Sequence, residues 1–175
     1  MPSICDRDIG LEWYQYGLEK GDDFFTRFMM HWVAFNWLYN MFDGKFEWKR
    51  IKNFAENNAG KLSAFNAFDI PEFQVFALRP IRDGRTGEIG EVRQNRFQKV
   101  TDKKSIPHLL LTLYQVRCNL FHGAKSLCDA RDVELVKSSA VILEGYLKAY
   151  FEHSINRERE RGGHFAEHAA EEQAD

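Results

Sequence analysis

The fold class predicted by this sequence is an all-α bundle of about four to five main helices with a long basic loop insertion. Three observations predict it. Four prolines in 175 residues leave long stretches that nothing interrupts. Apolar residues recur at spacings of three and four rather than in alternation, the period of a helix with one buried face. Helix-stopping and helix-starting residues stand between these stretches, as in Gly21 before Asp22 and Asp23, Asp43 before Gly44, and Asp129 before Asp132. A chain of 20.5 kDa that is 44% hydrophobic can bury one sizeable core and hardly two, so one helical domain is expected over about residues 1–155.

The first helix is expected over about Asp8 to Lys20, with Leu11, Tyr14 and Leu18 on one side and Gly21 as its stop. Asp22 or Asp23 then caps a second helix running to about Met41. Its Phe25, Phe28, Met29, Trp32, Phe35 and Tyr39 stand three and four apart, with further apolar residues around the circumference, so it should be the buried centre of the bundle. A shorter helix over about Phe46 to Glu56 follows the Asp43-Gly44 turn, and a further helical piece is expected near Lys61 to Ala67. From Arg79 to Lys104 large apolar residues are few and three glycines intervene. Eight basic residues (Arg79, Arg82, Arg85, Arg93, Arg96, Lys99, Lys103 and Lys104) face four acidic ones, a local charge of +4. This reads as a long surface loop.

After Ser105 a helix begins with Pro107 near its first turn and carries Leu109, Leu110, Leu113, Tyr114, Val116, Leu120 and Phe121 before Gly123 stops it. Asp129, with Asp132 three residues on, opens a last helix bearing Leu135, Val136, Ser139, Leu143, Tyr146 and Tyr150. Beyond about Asn156 the chain alternates Arg and Glu and then turns Gly- and Ala-rich, so residues 156–175 are expected to form a frayed, flexible acidic tail.

Composition excludes several function classes. With 24 Lys plus Arg against 26 Asp plus Glu, no overall polycationic field draws the chain to nucleic acid or membrane, and any such binding must come from a local patch. Cys5, Cys118 and Cys128 are too few and too irregular for a disulfide framework or a four-ligand zinc site, which points to a reducing, cytoplasmic compartment. Charge at Asp6 and Arg7 breaks the start of the chain, so no secretory signal is expected. Arg27, His31, Asn36 and Asn40 interrupt the apolar segment Phe24 to Phe42, so no membrane span is expected. No Gly-rich phosphate loop, Ser-His-Asp pattern or acidic metal cluster appears, and no metal or cofactor is expected. His164 and His168 have a metal-ligand spacing but sit in the acidic tail without a clear third ligand.

The informative residues are polar ones on apolar stripes. Arg117 lies four positions after Leu113 and three before Leu120, which turns its guanidinium toward the bundle or along its edge, where it needs an anion. Asn36 lies four after Trp32 and three before Tyr39, and a buried amide there must be paired. His122 follows Arg117 by five residues with Asn119 between, so an unbroken helix would set the two about 140° apart around its axis. If the helix ends at His122 because Gly123 takes a left-handed conformation, imidazole and guanidinium can flank one pocket at the helix end.

The segment Tyr114-Gln-Val-Arg-Cys-Asn-Leu-Phe-His-Gly123, together with Ala34-Phe35-Asn36-Trp37-Leu38-Tyr39-Asn40, resembles the HEPN superfamily and within it the Apea-like branch. The defining motif there is an Arg, four to six intervening residues and a His, and Arg117 and His122 match it with four between. The resemblance is spread over about Phe24 to Tyr150. It implies a helical bundle that pairs through a two-fold axis, and in many members a metal-independent endoribonuclease, often a toxin or a phage-defence protein. Such chemistry suits these residues. Cleaving RNA through its own 2′-hydroxyl needs a base, an acid and donors for a charged phosphorane. An imidazole serves as base or acid near neutrality, and a guanidinium fits phosphate oxygens. A two-fold homodimer would supply a second His122. Asn119 is expected to orient His122 or bind phosphate, Asn36 to brace Arg117, and the basic loop to follow the RNA backbone.

Plainer alternatives stand beside each assignment. Arg117 can pair with a core carboxylate such as Glu144, and His122 can merely cap the helix. Asn36 can be a satisfied core amide, Cys118 a small buried residue rather than a nucleophile, and the basic run a solvated loop. The aromatic stripe from Phe24 to Phe42 reads as core rather than as a base-stacking platform. A non-catalytic HEPN-like dimer that binds nucleic acid or a partner protein is the second functional expectation. An antitoxin or defence-system partner is a further one, although the subgroup paired with nucleotidyltransferase antitoxins carries a Tyr where this chain has Ala124.

Overall fold

A computed structural model describes residues 4–58, 65–66, 69–78, 81, 106–123, 126 and 128–171. Among them are six helices and no strand: α1 (Ile4–Leu18), α2 (Phe24–Tyr39), α3 (Glu47–Asn58), α4 (Gln74–Leu78, entered through a 3₁₀ turn at Pro71–Phe73), α5 (Ile106–Phe121) and α6 (Ala130–Glu171). The all-α expectation holds.

Helix α2 is the buried centre, as its periodicity predicts. Asp23 caps it, accepting a hydrogen bond from the Thr26 N–H at 3.1 Å. Phe28, His31, Trp32, Ala34, Phe35, Leu38 and Tyr39 are buried. The Phe35 ring meets Trp32, Tyr39, Phe54 and Tyr146 at centroid distances of 4.9–6.0 Å, so a single aromatic cluster joins α2, α3 and α6.

Helix α1 packs on α2 through a seam that differs from the expected leucine stripe. Tyr14 is buried, but Leu18 is 43% exposed and Leu11 only half-buried. The seam is Gly10, Tyr14 and Gly17. A Cβ on Gly10 would stand 2.8 Å from Trp37, and one on Gly17 2.4 Å from His31. Two glycines seven residues apart therefore let the backbone of α1 lie directly on the side chains of α2, and this close approach outweighs burial of the leucines.

Helix α3 packs against α5, and α6 runs along α2. Helix α4 and its 3₁₀ turn, which the sequence reading did not separate out, bury Phe73 and Phe76. Of the piece expected near Lys61 to Ala67, only Phe65 and Asn66 are described, in neither helix nor strand. The basic residues Arg79, Arg82, Arg85, Arg93, Arg96, Lys99, Lys103 and Lys104 lie outside the described residues.

Asp129 and Asp132 open α6 as expected: the Asp132 N–H donates to Asp129 Oδ1 at 2.9 Å, and Asp132 Oδ2 accepts from the Ser126 N–H at 2.9 Å. The helix does not end near Asn156. Its backbone continues to Glu171, 42 residues in all, through the Arg/Glu alternation, Gly162-Gly163 and the alanines that follow, with no proline to interrupt it. No helix among the described residues is long and apolar enough to cross a membrane.

Candidate functional site

Arg117 projects from α5 toward the start of α3, where its Nη1 lies 3.4 Å from Glu47 Oε2. The other oxygen of Glu47 accepts a hydrogen bond from the Tyr39 hydroxyl. A chain of three side chains thus ties α2, α3 and α5 together. Burial, and then the bond to Glu47, push the Tyr39 phenol well above its ordinary pKa, so it stays a neutral donor to Glu47.

Aromatic rings flank the guanidinium. Its Cζ lies 4.5 Å from the Phe121 ring centroid, one helical turn on, and 5.8 Å from that of Trp32. Among the described residues, Arg117 Nε is buried and finds no hydrogen-bond partner. The charge is therefore oriented but its donors are not used up.

His122 stands one position past the end of α5 and is exposed. Its N–H still bonds the Cys118 carbonyl at 3.0 Å, and the Gly123 N–H bonds the Leu120 carbonyl at 3.1 Å. Gly123 has φ +68°, the left-handed conformation expected of it, and there the helix stops. The imidazole is presented at the helix end, about 140° around the axis from Arg117 and about 7.5 Å along it, so the two side chains leave the helix on different faces.

The other expected site residues fall differently. Asn119 is buried, and its Oδ1 accepts from Gln115 Nε2 at 2.7 Å. Asn36 is exposed, contrary to the reading of it as a buried amide that braces Arg117 or is satisfied in the core. At 100° per residue it lies about 40° past Trp32, just outside the buried arc of α2. Glu47, Tyr39 and Trp32 surround Arg117 instead. Glu144, named as a plausible carboxylate for Arg117, pairs with Arg27. Cys118 is a half-buried free thiol. His164 and His168 lie on α6, and among the described residues no three His, Cys, Asp or Glu side chains are placed to hold a metal.

Sequence reasoning missed Glu47. The signal available was a lone carboxylate between two aromatics, Phe46 and Trp48, directly after a turn. It also passed over His31, which is fully buried with its ring 5.4 Å from that of Tyr14 and stacked at 30°. Burial pushes its pKa down to about 4, against a smaller opposite pull from Glu144, so it is neutral near pH 7.

No family model, curated protein or solved structure matches this chain.

Proposed function

We propose that the chain is a metal-independent endoribonuclease of HEPN type that acts as a homodimer, in a toxin or phage-defence setting. The observation that carries this reading is that one helix bears both a half-buried arginine and, at its glycine-terminated end, an exposed histidine. The HEPN-like motif spanning Arg117 to His122 supports it.

In the proposed reaction an RNA 2′-oxygen attacks the adjacent phosphorus. One His122 takes the 2′-hydroxyl proton, and His122 of the second copy gives a proton to the departing 5′-oxygen. The new P–O2′ bond replaces the broken P–O5′ bond and leaves a 2′,3′-cyclic phosphate. Arg117 donates to the non-bridging oxygens as negative charge builds on the phosphorane. Glu47 and Tyr39 keep the guanidinium in place between turnovers. The basic residues between Arg79 and Lys104 would follow the RNA backbone, and Asn119, buried beside Gln115, would orient His122 rather than touch the phosphate.

The test is cleavage of single-stranded RNA in EDTA, with the ends examined for cyclic phosphate. Cleavage retained at the wild-type rate by His122→Ala would refute the assignment. A second reading, a non-catalytic dimeric module that binds nucleic acid or a partner protein such as an antitoxin, is favoured by one observation: Glu47 already neutralises part of the charge of Arg117. RNA that is bound but left intact, with an affinity that falls as salt rises, selects this reading.

A further inference from the structure

We infer that Phe46 and Trp48, with Lys45 and Lys49, form a surface that takes an unpaired base and its adjoining phosphates in single-stranded RNA, next to Arg117. The inference deepens the ribonuclease reading and rests on it for the ligand being RNA.

The segment alternates in what it does. Glu47 turns in to meet Arg117, while Phe46 on one side of it is 52% exposed and Trp48 on the other is half-buried. The two rings lie parallel within 6°, with centroids 6.5 Å apart. Parallel aromatic faces offer a planar base a surface of matching orientation, whatever its sequence. Trp13 and Tyr16 on α1, an exposed aromatic pair among the described residues, meet edge to face at 80° and have no common plane to offer.

Phe46 is a poor choice for the fold. Its carbonyl accepts from the Lys49 and Arg50 N–H groups at 3.0 and 3.3 Å, so it occupies the residue position that caps α3. Ser, Thr, Asp and Asn are preferred there because their side chains satisfy an orphan N–H, which a phenyl ring cannot do. A large apolar side chain that is both exposed and wrong for its local structure is what a binding role would leave behind.

Charge completes the case. Lys45 Nζ stands over the Phe46 ring, 5.7 Å from its centroid, and Lys49 Nζ over the Trp48 ring, 5.9 Å from its centroid; both are long flexible side chains that can swing from the ring to a phosphate. Glu47, which stands between the two aromatics in the chain, is the residue that pairs with Arg117, so this segment and the guanidinium proposed to meet the scissile phosphate are joined through it.

The probe is a fluorescent single-stranded oligoadenylate of about ten nucleotides with 2′-O-methyl riboses, which cannot be cleaved through the 2′-oxygen, read by anisotropy with the full-length chain. Phe46→Ala should weaken binding about ten-fold, as loss of one base stack does, and Phe46→Trp should restore it. Lys45→Ala with Lys49→Ala should reduce the slope of log affinity against log salt by about 1.4. Because Phe46 is exposed, an unchanged thermal melt separates loss of contact from loss of fold. Wild-type affinity in Phe46→Ala, no binding at all, or equal affinity for a duplex each overturns the inference and leaves the patch to a protein partner. Phe46-dependent binding without cleavage of ordinary RNA removes the ribonuclease reading and leaves this surface standing. Cleavage with no dependence on Phe46 does the reverse.

Discussion

Two half-buried arginines, each paired with a carboxylate from a distant helix, are held in opposite ways. Arg27 donates to Glu144 from Nε at 2.6 Å and from Nη2, and to the Gly21 carbonyl from Nη1 at 3.3 Å, so all its nitrogens are engaged. Arg117 reaches Glu47 through one nitrogen at 3.4 Å, its Nε has no partner among the described residues, and two aromatic faces hold the rest. Burial does not distinguish them: side-chain exposure is 18% and 24% in the first pair, 24% and 23% in the second. A saturated guanidinium is a fastener. An unsaturated one at the same depth is tied to its helix neighbours by fewer hydrogen bonds.

The largest effect expected is on activity. In the proposed cleavage, His122→Ala should lower the rate by about two to four orders of magnitude and Arg117→Ala by about two to three, while Arg117→Ala, which removes one long hydrogen bond to Glu47, shifts unfolding free energy by only about 1 kcal/mol in urea titration. Arg27→Ala should do the converse. It strands Glu144 half-buried without its cation and should destabilise the fold by about 3 kcal/mol, with cleavage per folded molecule unchanged. Equal stability losses at the two sites would end the contrast between them.

Acid should act on the Arg27 side of the molecule through His31, which faces Tyr14, Arg27 and Glu144. Its folded pKa of about 4 lies below the unfolded value of 6.5, so between these values the unfolded chain binds the extra proton. Its contribution is complete above pH 6.5 and is lost as pH falls toward 4, at about 1.4 kcal/mol per pH unit. Urea unfolding of His31→Leu across that range should show a correspondingly flatter pH dependence than the wild type. The smallest effect expected is at Asn36: being exposed, Asn36→Ala should change stability by less than about 0.5 kcal/mol and leave cleavage intact. A large loss of cleavage there would restore Asn36 as the brace of Arg117.

The sequence by itself determined the features that depend on neighbours along the chain. The Asp23 cap, the Asp129 and Asp132 opening of α6, the left-handed stop at Gly123 that leaves His122 at a helix end, and the apolar centre of α2 were all legible, because each is settled within about a turn of helix. Tertiary structure alone decided which charges meet. Glu47 lies 70 positions from Arg117, and Glu144 lies 117 from Arg27. Helical period says which way a side chain points but not how far the buried arc extends or what waits across it. Asn36 fell outside the arc by part of a turn, and α1 turned its glycines inward instead of its leucines. Where helices cross is fixed by the packing of all of them together, and no local pattern contains that information.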